Sequence, residues 1–182
     1  MFVNRSWAFL SMKKIIVITG GSRSGKSKHA LDLASAYRDK GFIATAEPTD
    51  DEMRARIELH RRERDASFFT VEEPIDLVAA LKSLPENTEV VVLDCITVWL
   101  ANLNYREKIN DGTCPEIRDL LDILNDPPCH LILVTNEVGM GIIPGDSATR
   151  RFRDLAGSIN QQLAEKANEV ILTVSGIPMK IK

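Results

Sequence analysis

Apolar residues follow two different periods along this chain, and the periods alternate. Short, nearly unbroken apolar runs occur at residues 15–19, 89–94, 130–135 and 169–174. Runs of this kind suit strands covered on both faces of a parallel sheet. Residues 42–46 and 67–71 add two further strands. Between the strands the apolar positions repeat at three and four residues, as on one face of a helix. Helices are predicted at residues 26–38, 51–64 and from Pro74 to about Ser83, and at 96–103 and 115–124 on either side of a polar loop. Phe152, Leu155, Ala156, Ile159, Leu163 and Ala167 trace the stripe of one more, longer helix. Gly41 is expected to end the first helix, Pro48 to close the second strand, and Asp50-Asp51 to cap the helix that follows. Ser175-Gly176 reads as a tight turn into residues 177–181, an antiparallel edge hairpin. Strands alternating with helices give an α/β fold with a mostly parallel, doubly wound sheet.

The junction of the first strand and helix is the most informative stretch. Gly20-Gly21-Ser22-Arg23-Ser24-Gly25-Lys26-Ser27 fits G-x-x-x-x-G-K-[ST], the P-loop, in the strand–loop–helix setting its mechanism needs. The glycines let the backbone curl so that N–H groups face phosphate oxygens, and the helix N-terminus adds partial positive charge. Lys26 is expected on the β- and γ-phosphates and the Ser27 hydroxyl on Mg²⁺.

Bulk composition narrows the picture without redirecting it. At 182 residues the chain suits one domain able to bury its own core, with 44% apolar and 27% charged residues. A net charge of −3 gives no reason to expect a nucleic-acid partner. No apolar stretch approaches the roughly 18 residues of a membrane span. Cys95, Cys114 and Cys129 are too far apart for a C-x-x-C site and suit free thiols in a reducing, cytoplasmic compartment. Residues 1–11 read as a weakly ordered tail or an over-extended start, with Met12 an alternative initiator and residues 12–182 the domain.

Further candidates lie at strand C-termini, the ligand edge of an open α/β sheet. Asp94 ends an apolar run in the Walker B manner. It would hold Mg²⁺ directly or through water, or else cap the next helix. Residues 136–141, Asn-Glu-Val-Gly-Met-Gly, form a glycine-bearing loop at the same edge. The helix at 51–64 is the most charged segment; Met53, Ile57, His60 and Arg64 share one of its faces, and Glu58 pairs with Arg62 by spacing. Spacing alone leaves this a solvated, ion-paired helix, or one whose His60 acts as base, hydrogen-bond donor or nucleophile while Arg61, Arg62 and Arg64 neutralise phosphate. His29 and His130 read as structural.

The P-loop with Lys28-His29-Ala30 resembles the opening of the bifunctional adenosylcobinamide kinase/adenosylcobinamide-phosphate guanylyltransferase family. Asp51-Glu52-Met53, Arg56-Ile57, His60-Arg61, Val71-Glu72-Glu73-Pro74, Thr135 through Gly141, Phe152-Arg153-Asp154 and Val174-Ser175-Gly176 continue the resemblance in order. It covers residues 13–182 and implies a RecA-like sheet, a homotrimer, and two reactions of cobalamin nucleotide-loop assembly. ATP or GTP phosphorylates adenosylcobinamide, with Mg²⁺; GTP then guanylylates an enzyme histidine, and adenosylcobinamide phosphate takes the GMP. Carried over, His60 is that histidine. Gly21, Ser22, Arg23, Ser24, Gly25, Lys26, Ser27 and Lys28 match nucleotide-binding segments, as do Ala46, Glu47, Pro48, Arg61, Arg62, Glu63 and Arg64. Glu72 and Asp94 match acidic nucleotide contacts. Some members carry two adjacent histidines where this chain has Leu59-His60, and the loop at 104–115 is short against the family. Two other readings stand beside this one: a P-loop small-metabolite kinase without covalent nucleotide, and a RecA-like nucleotide switch that assembles with a partner.

Overall fold

In a computed structural model, which describes residues 13–64 and 66–182, seven strands form one sheet in the order β3-β2-β4-β5-β1-β6-β7. They are β1 (Ile15–Gly20), β2 (Lys40–Ala44), β3 (Phe68–Glu72), β4 (Val90–Asp94), β5 (His130–Val134), β6 (Glu169–Val174) and β7 (Ile177–Lys180). All neighbours run parallel except β6 and β7, the expected antiparallel edge hairpin. The tail predicted at residues 1–11 lies outside the described residues, as does Met12.

The unbroken apolar runs are explained by what covers them. In β4, Val91 and Leu93 join one buried cluster while Val90 and Val92 join another; in β5, Leu131 and Leu133 separate from Ile132 and Val134 in the same way. Both sheet faces are therefore dry in the centre, and no polar alternation survives there. The larger cluster is closed by α3 (Leu77–Ser83), α4 (Ile96–Tyr105), α5 (Pro115–Ile123) and α6 (Ser147–Lys166). Its largest side chain, Trp99, is fully buried and donates its indole N–H to the Ile75 carbonyl at 2.7 Å. The opposite face is covered by α1 (Lys26–Ala34), through Ala30 and Ala34.

Besides β2, which runs Lys40–Ala44 where residues 42–46 were expected and so ends before Pro48 could close it, three boundaries differ from the sequence expectation. The first helix stops at Ala34, not Arg38, and Gly41 lies inside β2 and does not end that helix. A Cβ at Gly41 would meet Leu84 and Val91 at 3.1 Å, so the residue is small because the sheet packs against it. The Arg38 and Asp39 N–H groups instead donate to the Glu89 carboxylate, which turns the chain. The helix expected from Pro74 opens at Leu77, because Asp76 accepts from the Ala79 N–H and Glu73 takes the N–H groups of Ile75 and Asp76. Asp50 caps α2 (Asp51–Glu63) as expected, accepting from the Met53 N–H at 2.7 Å.

Candidate active site

The C-terminal ends of β1, β2 and β4, with the chain just beyond β5, open on a cavity of about 620 Å³, the size of a small-molecule site. The P-loop contributes Arg23 to Lys28, β2 contributes Phe42 and Ala44, and the chain after it Ala46. Asp94 and Cys95 come from the end of β4, Glu72 from the end of β3, and Asn136 from the loop after β5. The fourth wall is α2, whose Met53, Ile57 and His60 face inward as the spacing had grouped them, with the extended C-cap residue Arg64 beside them.

Each part is positioned by a local cause. Gly25 opens α1 at φ 96°, the left-handed region that favours glycine, and no side chain caps the helix. Helices α2, α3 and α6 each have an aspartate cap, whereas α4 and α5, like α1, have no side-chain cap; of these three uncapped starts, α1 is the one formed by the P-loop. The first-turn N–H groups of α1 are thus left to a ligand's oxygens. Lys26 is buried at 6% exposure, its Nζ donating to the Gly21 carbonyl at 2.6 Å and to Ser24 Oγ at 3.5 Å. Burial holds its pKa below the ordinary lysine value, against the opposing pull of Cys95 and Asp94. An anion here would be drawn to a cation only partly compensated by protein.

On α2, the Arg64 guanidinium lies 4.3 Å over the Phe42 ring and donates from Nε to the His60 carbonyl at 3.0 Å. Burial lowers its pKa as well, and Nη1 is buried with no hydrogen-bond partner among the described residues. That orphan donor fits a phosphate or carbonyl oxygen in the cavity. Arg61 turns away and pairs with Glu72, whose hydrogen bond raises the guanidinium pKa; Arg62 pairs with Glu58 at 3.3 Å. The Cys95 thiol is pushed up to about 11 by burial and is no nucleophile at neutral pH.

Of the residues singled out in the sequence, Arg23, Ser24, Gly25, Lys26, Ser27, Lys28, Ala46, His60, Arg64, Glu72 and Asp94 share this cavity. Gly21 and Ser22 are exposed and do not line the cavity, and Glu47 is drawn to Arg106 at 2.7 Å. Pro48, Arg61 and Arg62 do not line the cavity, and the side chain of Glu63 lies outside the described residues. Phe42 and Asn136 line it without having been singled out individually, and so does Cys95, which the sequence marked only as a free thiol. His130 is structural: its Nδ1 accepts from the Lys14 N–H at 2.9 Å and its ring packs on Tyr37 at 5.1 Å.

Ser27 and Asp94 offer a hydroxyl and a carboxylate to one space, hard oxygen donors of the kind that would suit Mg²⁺. Among the described residues no group of three or more His, Cys, Asp or Glu forms a metal cage. The donor set therefore fits an ion shared with a nucleotide.

A parallel sheet with a P-loop on an inner strand and an acid ending a nearby one defines a P-loop nucleotide-binding protein. A model of the family cobinamide kinase / cobinamide phosphate guanyltransferase matches residues 16–181. The chain is 42% identical over 180 residues to the bifunctional adenosylcobalamin biosynthesis protein CobU of Escherichia coli (strain K12), covering 92% of this chain and 99% of that one. It is 41% identical over 169 residues to the bifunctional adenosylcobalamin biosynthesis protein CobP of Pseudomonas aeruginosa, covering 91% and 96%. It is 39% identical over 182 residues to the CobU protein of Salmonella typhimurium, covering 92% and 99%. The chain belongs to the cobinamide kinase / cobinamide phosphate guanyltransferase family. Among solved structures it is similar to the P4 protein from bacteriophage phi6 in complex with ADP, with a TM-score of 0.45 at 14% identity, covering 97% of this chain and 56% of that one.

Proposed function

We propose that this chain carries both activities of its family on one nucleotide site. It phosphorylates the aminopropanol hydroxyl of adenosylcobinamide with ATP or GTP. It then accepts GMP from GTP on His60 and passes it to adenosylcobinamide phosphate, giving adenosylcobinamide-GDP. The observation that carries this reading is the placement of His60 on the wall of the P-loop cavity, on the inward face of α2 with Met53 and Ile57 and next to the C-cap residue Arg64.

In guanylylation, a neutral imidazole nitrogen of His60 attacks the α-phosphorus. The bond to the α–β bridging oxygen breaks and pyrophosphate leaves with the electron pair. Lys26, the free N–H groups at the start of α1 and Arg64 Nη1 take up the negative charge gathered on the phosphates. Adenosylcobinamide phosphate then attacks the same phosphorus and restores the imidazole. Ser27 and Asp94 would hold Mg²⁺, which when bound neutralises phosphate oxygens. Glu72 and the segments 46–48 and 61–64 are assigned to the nucleoside end by the family resemblance, and Ala46, Arg64 and Glu72 reach the cavity.

The reading extends to a homotrimer in the cytoplasm. Exposed Val174, Ile177, Met179 and Ile181 along the β6–β7 hairpin support self-association, and three buried free cysteines suit a reducing compartment.

The test is α-phosphate-labelled GTP with Mg²⁺, on the wild type beside His60→Ala. The wild type acquires acid-labile, alkali-stable label and the variant loses it by at least about 10³-fold, as expected for removal of a nucleophile. Label persisting in the variant excludes His60. An unlabelled wild type that still phosphorylates cobinamide is a kinase only.

A further inference from the structure

The geometry points to Asn136 as a catalytic residue of the phosphoryl-transfer reaction, its carboxamide Nδ2 donating to oxygens of the γ-phosphoryl group as that group leaves the nucleotide. This rests on the kinase half of the reading above.

The topology places the residue. Strand β5 lies between β4, which ends in Asp94, and β1, which runs into the P-loop. Val134 is the register partner of Asp94 on one side and of Ile18 on the other. Two residues later the chain leaves the sheet between the Mg²⁺-side carboxylate and the phosphate loop. There Asn136 lines the cavity with Lys26 and Asp94.

A closed ring of hydrogen bonds then fixes its backbone. The Asn136 N–H donates to Thr97 Oγ1 at 2.7 Å, and Thr97 pairs with Thr135 Oγ1 at 3.0 Å. The Thr135 hydroxyl donates to Asn160 Oδ1 at 2.8 Å, and Asn160 Nδ2 returns to the Asn136 carbonyl at 3.1 Å. Next along the chain, the Glu137 N–H donates to the Gly20 carbonyl at 3.0 Å, joining the loop to the start of the P-loop. Thr97 and Thr135 are buried, at 7% and 1% exposure. Buried polar side chains are costly unless fully paired, and these pair in a circuit that begins and ends on one residue's backbone. The carboxamide so held does little for the fold: its Nδ2 meets Cys95 Sγ at 4.0 Å, a weak acceptor. Rigid backbone and an uncommitted side chain facing reactive groups are what a preorganised transition-state donor requires. A neutral amide also adds a donor without adding another charge beside Lys26.

In the step itself the substrate hydroxyl oxygen bonds to the γ-phosphorus as the bond to the β–γ bridging oxygen breaks. The nucleoside diphosphate leaves with that electron pair, and the hydroxyl proton goes to water. In the loose transition state the charge of the γ-phosphoryl group is spread over its three equatorial oxygens, which are the oxygens Asn136 would meet. In guanylylation the bond change is at the α-phosphorus, so the two reactions should respond differently to loss of Asn136.

The experiment compares ATP-dependent phosphorylation of cobinamide with covalent labelling by α-labelled GTP, for wild type, Asn136→Ala and the isosteric Asn136→Asp. The kcat for phosphorylation should fall about 100-fold in Asn136→Ala, the loss typical of one preorganised donor, with KM for ATP within about threefold. Asn136→Asp, which keeps the backbone ring and loses the donor, should fall at least as far while keeping its melting temperature. Label formation at saturating GTP should fall less than about threefold. Phosphorylation above a third of the wild-type rate in either folded variant overturns the assignment, as does an equal loss of both reactions in folded Asn136→Asp. A wild type that cannot phosphorylate cobinamide removes the kinase reading and this assignment with it; full activity in the variants removes this assignment alone.

Discussion

The two long walls of the cavity are built in opposite ways. The P-loop wall has a buried centre: Ser24 and Lys26 are nearly inaccessible, Lys26 is held by the Gly21 carbonyl, and α1 is pinned to the sheet through Ala30 and Ala34. The α2 wall has no fully buried side chain among those described and is laced with exposed ion pairs. Its links to the sheet include Arg64 over Phe42 and Arg61 on Glu72. Holding a triphosphate calls for fixed N–H groups, and a rigid loop supplies them. Carrying a covalent nucleotide from one partner to another calls for a group at the surface, within reach of a large substrate. His60 sits on the wall suited to that second task.

Breaking the rigid wall should have the largest effect. Gly20 has φ 146°, and a Cβ there would overlap the Thr173 carbonyl oxygen and lie 2.8 Å from Ser24 Oγ. Gly20→Ala should cost about 3 kcal/mol from backbone strain and overlap, lowering the melting temperature by roughly 6–12 °C and abolishing nucleotide binding. Gly21→Ala, where a Cβ meets nothing within 4 Å, is the control and should cost less than about 1 kcal/mol. Calorimetry on the two variants decides, and equal losses would remove the contrast.

An intermediate effect is expected from pH. Burial lowers the pKa of Lys26 from 10.5, and a bound triphosphate favours its charged form. Triphosphate affinity should therefore decline as pH rises, starting below the ordinary lysine range and approaching tenfold per pH unit once Lys26 is mostly neutral. Without ligand the sign reverses: the cost of burying the ammonium is present at low pH and is relieved as pH rises through the lowered pKa. Titration of a fluorescent GTP analogue from pH 7 to 10 checks the first statement. An affinity that stays unchanged up to pH 10 contradicts it.

The smallest effect belongs to the exposed wall. Arg61 and Glu72 have side-chain exposures of 48% and 53%, so Arg61→Ala should change stability by less than about 1 kcal/mol. Thermal melts in low and high salt would test this, and a loss as large as that of Gly20→Ala would mean α2 is anchored more firmly than its exposure implies.

Much of this was legible along the chain because local signals carried it. The apolar runs located β1, β4, β5 and β6 within a residue or so, and helical spacing placed Met53, Ile57, His60 and Arg64 on one face before any cavity was known. Gly41 misled, since a glycine needed for packing in a strand looks like one that ends a helix. Strand order left no local trace. That β5 inserts between β1 and β4 follows from non-local pairing, and only that insertion brings Asn136 between Lys26 and Asp94. The loop at 136–141 was recognisable as lying at the ligand edge, but which residue faces the cavity depends on Thr97 and Asn160, distant in sequence.

The contact between Gly25 and Gly176 has a further consequence. A Cβ on Gly25 would come within 3.2 Å of the Gly176 Cα, and the Gly176 N–H donates to the Ser24 carbonyl at 2.9 Å. The turn after β6 thus braces a loop written some 150 residues earlier. On the ribosome, the P-loop waits for a turn some 150 residues further along before it can take its working shape. Any nucleotide capture by the nascent chain must be late, and synthesis that stops short of Gly176 should yield a P-loop sequence without a finished P-loop.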